Sequence, residues 1–262
     1  MTEVAQSAEA ELGGLLGSLG VRRGGVLMVH ASLGGTGTAP EAVRDALRAA
    51  LGPEGTLIVP AFTPENSDTS RAHREAVADL SEAEAAEYRR GMPPFDPEAT
   101  ECPTMGALAE CVRSTRGAVR SAHPQTSLAG LGPRAGELLR RHPLRSHLGR
   151  LSPMARLYAA DAQILLLRVG FEVCSALHYA EYLMWPRPPR RTYRCVVGHK
   201  GNWVEYRDLA LDDSDFGAIG ARLPRRMLAE GTWASRPVVL CGMRDVVGHA
   251  KGQMSGYRRA LA

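Results

Sequence analysis

One short segment, residues 175–181, carries a histidine and a carboxylate at a spacing that suits acid–base chemistry. Ser175 can cap a helix, which places His178 in the first turn, where the positive end of the helix dipole keeps an imidazole neutral. Glu181 follows three residues later and lies on the same helix face. A carboxylate beside an imidazole fixes its tautomer and stabilises its protonated form. The spacing indicates a general base with an orienting acid, although a surface helix with an incidental His–Glu pair would show the same pattern.

Two loops offer groups that suit an anionic ligand. The first ends a short apolar run and comprises His30, Ala31, Ser32 and Leu33. Ligands bind preferentially where strands of an open α/β sheet end, and backbone N–H groups there can hold a phosphate or an oxyanion. The second loop, residues 120–127, combines a cation, hydroxyls and an imidazole in Arg120, Ser121, His123 and Ser127. Because His123 precedes a proline, it is equally consistent with a turn histidine.

The signatures of several common enzyme classes are missing from the sequence. It contains no P-loop, no G-x-S-x-G nucleophile elbow and no H-E-x-x-H zinc motif. The glycines at 34, 35 and 37 follow a strand but do not fit the dinucleotide fingerprint. The eight histidines have no ligand spacing, so the sequence predicts no metal site.

Buried strands and amphipathic helices alternate along the chain, and these elements must position the candidate residues. Strands are predicted at residues 26–30, 56–60, 164–169 and 238–241, and helices at residues 4–19, 40–51, 81–90, 103–113 and 175–184. Residues 192–197 and 202–206 predict an antiparallel hairpin, and residues 121–132 a loop rich in small and polar residues. This alternation predicts a single α/β domain over residues 1–262, with a central mixed, largely parallel sheet flanked by helices.

Charge is distributed unevenly along the chain. Residues 61–101 contain ten acidic residues against four arginines, a net of −6, which leaves +10 for the remainder of a chain whose total is +4. Residues 64–94 also interrupt the strand–helix alternation, and an insertion of this length in a compact domain is usually a lid or a disordered segment. We predict an acidic helical insertion at about residues 64–94 that forms a lid or a wall of a substrate site.

Composition excludes several other classes of protein. A net charge of +4 and 5% aromatic residues do not indicate a nucleic-acid partner. No apolar run reaches the 18 residues of a membrane span, and no apolar leader is visible. The five cysteines form no C-x-x-C pair and predict free thiols. We therefore expect a cytoplasmic protein without a membrane partner, acting as a monomer or a homodimer.

Short motifs in a characteristic order resemble those of the aminoglycoside 3-N-acetyltransferases, the antibiotic N-acetyltransferase family. They lie at residues 29–33, 55–60, 95–97, 105–106, 120–127, 147–149, 152–153, 165–167, 176–181 and 246–250. Each is short, but the ordered set covers nearly the whole chain. Cys174 and Ser175 depart from the pattern, in which many members have a different residue followed by Thr, and the acidic insertion matches nothing residue by residue.

The resemblance implies an enzyme that transfers an acetyl group from acetyl-CoA to the 3-amino group of a deoxystreptamine aminoglycoside, inactivating the antibiotic. It implies the fold of this family, distinct from the small acetyltransferase fold, and no metal. His178 matches the catalytic histidine and Glu181 the acid one turn later, with direct transfer in a ternary complex. The two loops at 30–33 and 120–127 match cofactor-binding positions.

The sequence is consistent with three functions. The first is the aminoglycoside 3-N-acetyltransferase, for which acceptor binding is predicted at one hydroxyl and four carboxylates, those of Thr63, Glu65, Glu101, Asp213 and Asp215. An alternative is the same acyl-CoA N-acyltransfer onto a different small amine in a natural-product pathway. A protein that binds CoA or another anion without catalysis is the third reading.

Overall fold

The computed structural model describes the backbone of residues 3–257 and the side chains of residues 10–256. The helices are α1 (Glu3–Leu19), α2 (Pro40–Leu51), α3 (Arg71–Ala76), α4 (Glu82–Gly91), α5 (Ala107–Ser114), α6 (Ala135–Leu139), α7 (Pro153–Ala159), α8 (Ala176–Leu183), α9 (Phe216–Gly220) and α10 (Met243–Tyr257). The strands are β1 (Val26–Ala31), β2 (Thr56–Pro60), β3 (Val119–Arg120), β4 (Leu128–Leu131), β5 (Gln163–Leu167), β6 (Arg190–Val196), β7 (Trp203–Leu209), β8 (Leu228–Trp233) and β9 (Arg236–Gly242). Short 3-10 helices lie at Pro64–Asn66, Pro103–Met105, Phe171–Val173 and Arg225–Met227.

A seven-stranded mixed sheet in the order β3-β4-β2-β1-β5-β9-β8 forms the centre of the fold. Its two central pairings, β1 with β2 and β1 with β5, are parallel. The four outer pairings are antiparallel, because β4 turns back beside β2 and the β8–β9 hairpin closes the other edge. The predicted single α/β domain with a mixed sheet is confirmed, and its parallel part is the centre, where the candidate site lies.

Helices cover both faces of this sheet, as the alternation of side chains along its strands requires. In β1, Leu27 and Val29 pack into a core with α1, α2 and α5, whereas Val26 and Met28 pack into a second core with α6 to α10. These side chains are at most 2% exposed. Burial on both faces explains why the central strands are continuous apolar runs.

Strand β4 falls within residues 121–132, which the sequence predicted to be a loop. Its four residues are fully or nearly buried, and they pair with β2 from Leu57↔Leu131 to Pro60↔Leu128. Gly130 is required there, since a Cβ atom would lie 2.5 Å from the Ile58 side chain and 2.9 Å from a backbone oxygen. Tertiary pairing therefore makes a strand from a sequence with weak strand propensity.

The acidic insertion contains two helices, α3 and α4. Ser81 caps α4 through a capping box with Glu84. A separate two-stranded sheet, β6 with β7, carries the predicted hairpin, and Ser67 of the insertion donates a hydrogen bond to the Arg194 carbonyl of β6 (2.6 Å). The insertion is thus attached to the hairpin. Among the described residues, no helix is both long and apolar enough to span a bilayer.

Candidate active site

A cavity of about 720 Å³ opens where the parallel strands β1, β2 and β5 end. Its walls come from the segment after β1, the end of β2, the start of α5, and the connection from β5 into α8. Carboxyl ends of adjacent parallel strands are where open α/β sheets bind ligands, because the chain diverges there into separate loops. The cavity therefore lies where the fold favours a site.

Two helices begin at this cavity. Helix α5 starts after Gly106, whose φ of 87° lies in the left-handed region that favours glycine, and helix α8 starts after Ser175. Residues on both sides of each start line the cavity. The first N–H groups of a helix have no partner within it, and the dipole adds partial positive charge, so both termini favour an anionic group.

The predicted pair of His178 and Glu181 forms at the wall of the cavity. The Nδ1 atom of His178 lies 2.6 Å from Oε2 of Glu181, whose side chain is fully buried. The other carboxylate oxygen accepts the backbone N–H of Asp212 at 3.1 Å. The His178 side chain is 13% exposed, and its ring packs edge-on against Phe216. With Nδ1 engaged by the carboxylate, Nε2 is the nitrogen that remains for a ligand in the cavity.

Ser175 occupies the N-cap position, but it does not cap the helix in the way the sequence predicted. Its backbone is helical, and its side chain accepts no capping hydrogen bond. Its carbonyl instead accepts the His178 N–H at 3.2 Å, which confirms that His178 lies in the first turn. Ser175 is one of the residues that line the cavity.

The four predicted residues at the end of β1 all line the cavity: His30, Ala31, Ser32 and Leu33. His30 is 6% exposed, and burial lowers its pKa to about 4, so the ring is neutral at physiological pH. Its Nε2 atom is buried without a hydrogen-bond partner among the described residues. A buried, unpaired nitrogen on a cavity wall is a group that a polar ligand could satisfy.

The second predicted cofactor loop is not brought to the cavity. Arg120 donates to the Ser127 hydroxyl (2.9 Å) and the Ala61 carbonyl (2.7 Å), and also to the Thr100 carbonyl. Ser121 is hydrogen-bonded to Nδ1 of His142 at 2.9 Å. These side chains hold β4 and its neighbours together, so their polar groups are used inside the protein.

His123 belongs to a buried cluster of three imidazoles. Its ring lies 4.7 Å from that of His142 and 4.5 Å from that of His147. Its Nδ1 accepts the backbone N–H groups of Gln125 and Thr126. Burial lowers the pKa of all three histidines, that of His123 to about 4. The cluster is a neutral, hydrogen-bonded part of the core, and the structure does not place it at the cavity.

The predicted acceptor-binding residues divide in the same way. Asp213 is exposed and lines the cavity. The other four do not line it: Thr63 donates to the Pro124 carbonyl, Glu65 is partly buried, Glu101 is exposed elsewhere, and Asp215 is buried. Of the described residues in the acidic segment 61–101, Phe62 is the one at the cavity. The structure thus does not bring the predicted acidic wall to this cavity.

Several residues of the cavity were not identified from the sequence. Glu172 supplies a second exposed carboxylate, and the Thr38 hydroxyl is buried without a partner. The start of α5 could have been recognised from the sequence, since Pro103 and Gly106 mark a break at the beginning of the predicted helix at 103–113. Glu172 and Thr38 carry no local pattern, because the tertiary fold alone brings them to the cavity.

All five cysteines are free thiols, as predicted: Cys102, Cys111, Cys174, Cys195 and Cys241. Cys174 is the nearest in sequence to His178, and burial raises its pKa to about 12. It therefore stays a thiol rather than a nucleophilic thiolate. No group of three or more metal-ligating side chains occurs in the part of the chain that the structure describes.

A carboxylate-bound histidine on a cavity with two helix N-termini defines an enzyme suited to removing a proton beside an anionic or carbonyl group. The comparison with known families is specific. The model of the aminoglycoside 3-N-acetyltransferase family matches residues 28–255, and the chain belongs to this family. The family and the acetyltransferase class predicted from the sequence are thereby confirmed.

Curated relatives agree with this assignment. Aminoglycoside N(3)-acetyltransferase IX of Micromonospora chalcea is 33% identical over 218 residues, which are 80% of this chain and 74% of that protein. The SPbeta prophage-derived aminoglycoside N(3')-acetyltransferase-like protein YokD of Bacillus subtilis is 31% identical over 212 residues, 78% of this chain and 76% of that one.

Solved structures share the whole fold. The crystal structure of YokD has a TM-score of 0.87 at 25% identity and covers 99% of both chains. AAC-IIIb with CoASH has a TM-score of 0.79 at 26% identity, covering 95% of this chain and 96% of that one. AAC-VIa bound to sisomicin has a TM-score of 0.76 at 28% identity, covering 95% and 97%.

Proposed function

We propose that this protein transfers the acetyl group of acetyl-CoA to the 3-amino group of a deoxystreptamine aminoglycoside. The observation that carries the proposal is the His178–Glu181 pair on the wall of the cavity, in a chain of this family. Relatives with the same fold hold the two ligands separately, CoASH in AAC-IIIb and sisomicin in AAC-VIa.

His178 acts as the general base in this reaction. An aminoglycoside amine is largely protonated at neutral pH and cannot attack a thioester until a proton leaves. Nε2 of His178 takes that proton, directly or through a water molecule, while the Glu181 carboxylate stabilises the resulting imidazolium through Nδ1. A positioned base of this kind contributes about 10²–10⁴-fold to the rate.

The acyl transfer itself takes place in a ternary complex. The amine lone pair forms the C–N bond at the thioester carbonyl carbon, and the C–S bond then breaks. Two protons leave the nitrogen overall, one to the CoA sulfur and one to solvent. The oxyanion formed between these steps needs hydrogen-bond donors, and the N–H groups at the start of α5, which lines the cavity, can supply them. The N–H of His178 in α8 is already bonded to the Ser175 carbonyl.

Carboxylates at the cavity bind the ammonium groups of the acceptor. Asp213 and Glu172 are exposed there, and Asp213 follows the residue whose backbone Glu181 holds. The same segment therefore connects the base to an acceptor-binding carboxylate. Four other predicted acceptor contacts do not line this cavity and stay predictions from the sequence: Thr63, Glu65, Glu101 and Asp215.

A thiol-release assay tests the proposal. Deoxystreptamine aminoglycosides are expected to stimulate CoA-thiol release from acetyl-CoA, and amines without that ring are not. His178→Ala should abolish turnover while CoA binding stays within twofold of wild type. His199→Ala, which removes an exposed histidine of the hairpin, is the matched control and should retain full activity.

Two outcomes would contradict the proposal. Absence of thiol release across a broad aminoglycoside panel would overturn the acceptor, and release with other amines would favour N-acylation in a natural-product pathway. Full activity in folded His178→Ala would overturn the role of the base.

A further inference from the structure

Arg168 stands in an unusual conformation beside the cavity. It follows β5 directly, is 7% exposed, and has a φ of 63°. The backbone of a residue other than glycine is strained in the left-handed region, and such outliers persist where the surrounding structure holds them in place. A buried cation in a strained position calls for a specific set of contacts.

Those contacts are backbone carbonyls of the loop after β1. The Nη1 atom of Arg168 donates to the carbonyls of Ser32 and Gly34, each at 2.9 Å. Since β1 and β5 are adjacent and parallel, their carboxyl ends lie side by side and bring the guanidinium under this loop. The backbone N–H of Arg168 is bonded to the Pro237 carbonyl at 3.0 Å, which ties the residue to β9.

All three consecutive carbonyls of the loop are engaged inside the protein. Between the two that Arg168 holds, the Leu33 carbonyl accepts the N–H and the hydroxyl of Thr36, at 3.2 and 2.8 Å. In a planar trans peptide the N–H points opposite to the C=O. The amides of Leu33 and Gly35, which follow the two carbonyls bound by Arg168, therefore point away from the guanidinium.

The loop faces the cavity on the side away from Arg168. Ser32, Leu33 and Gly34 line the cavity, and a Cβ atom added at Gly34 or Gly35 would meet no heavy atom within 4 Å. Thr38, on the same loop, is 7% exposed and lines the cavity. Its hydroxyl has no hydrogen-bond partner among the described residues. The loop thus presents an open face to the cavity, and the Thr38 hydroxyl on this face can donate to a ligand.

We propose that Arg168 is a positioning residue that holds residues 32–35 with the amide groups of Leu33 and Gly35 turned away from the guanidinium, and so makes this loop a binding element for the oxygen atoms of acetyl-CoA. This inference rests on the proposed function. Arg168 itself does not line the cavity and acts through the loop. Removing it lets the carbonyls turn, so the loop loses its fixed set of donors before the cofactor binds.

The test compares Arg168→Gly with a matched substitution elsewhere. Glycine relieves the strained φ, so the variant is expected to fold. Arg141→Gly makes the same change at an exposed arginine with a φ of 55° and serves as the control. Calorimetric titration with CoA is expected to show a Kd raised about tenfold in Arg168→Gly. The KM for acetyl-CoA should rise in parallel, and the KM for the amine should not change.

Arg168→Lys supplies the readout that a purely structural role would not give. A lysine can reach one of the two carbonyls, so it should recover part of the affinity for CoA. An unchanged Kd in folded Arg168→Gly would overturn the inference, and so would an equal rise in the KM of both substrates. If the wild type binds CoA but acetylates no aminoglycoside, the proposed acceptor fails while the titration still decides the role of Arg168.

Discussion

Replacing Glu181 by glutamine tests the arrangement of the base most directly. The carboxylate has two acceptor oxygens, and the structure uses both, one at 2.6 Å from Nδ1 of His178 and one for the N–H of Asp212. Glutamine has one acceptor oxygen and one NH₂ group. It can therefore satisfy His178 or Asp212 but not both, and in one of its two orientations it presents a donor to Nδ1 and so places the imidazole proton on the wrong nitrogen.

The size of the effect follows from the charge that is lost. Hydrogen bonds to charged groups contribute about 1.5–3 kcal/mol, and each 1.4 kcal/mol is a tenfold change in rate. We therefore expect kcat to fall about 10- to 100-fold in Glu181→Gln. The KM for acetyl-CoA should stay within about twofold, because Glu181 lies behind the histidine and does not line the cavity.

Steady-state thiol release with saturating acetyl-CoA measures this effect, and a thermal melt of each variant verifies that it is folded. Glu137→Gln is the matched control, since it makes the same chemical change on α6, at an exposed carboxylate paired with Arg134. A folded Glu181→Gln variant with kcat within twofold of wild type would refute the assignment of Glu181 as the acid that orients the base.

Three further changes have expected outcomes. His30 and His123 both have pKa values lowered to about 4 by burial, so the free energy of unfolding should fall as the pH drops below 6.5, by about 2 kcal/mol for each of them at pH 5, measured in denaturant titrations. Cys174→Ala should keep kcat within about threefold, with no acetylated enzyme by intact mass, because the proposed direct transfer forms no acyl-enzyme. Asp213→Asn should raise the KM for the aminoglycoside about fivefold, near 1 kcal/mol for an exposed ion pair, and leave that for acetyl-CoA unchanged.

Each of these has a control and a contrary result. A stability that does not change between pH 7 and pH 5 would show that the buried histidines are not held neutral. Cys241→Ala removes another buried thiol of the same core and separates packing loss from chemistry. An acetyl adduct lost specifically in Cys174→Ala would support a covalent route. Equal changes in both KM values in Asp213→Asn would remove Asp213 from the acceptor site.

The elements with strong local signals were predictable from the sequence. Helix α2 has the predicted bounds, because Pro40 opens it and Gly52, with a φ of 71°, ends it. Strand β2 was also found in full, since its apolar run lies between turn residues. Strand β4 was missed, because its four residues become a strand only through pairing with β2.

The residues of the candidate site also divide into those with a local sequence signal and those positioned by tertiary contacts. His178 and Glu181 were found because their spacing on one helix is itself the signal, and the loop at 30–33 because it ends an apolar run. The loop at 120–127 was predicted as a ligand site because it gathers a cation, hydroxyls and an imidazole, but these groups bond to one another and to distant residues, as Arg120 does to Ser127 and Ser121 to His142. Arg168 gave no signal, since its contacts form between two strands that are distant in sequence.

The helix N-termini at the cavity affect the order in which it is filled. They place partial positive charge at a cavity that the proposed acceptor must enter with several ammonium groups, and this charge offsets part of the attraction from Asp213 and Glu172. A bound polyanion reverses the sign of the local field. Coupling between two ligands is reciprocal in binding free energy, so an acceptor that binds more tightly beside the cofactor also increases the affinity for the cofactor. The backbone dipoles of two short helices thus favour a loading sequence, with the anion first and the cation second.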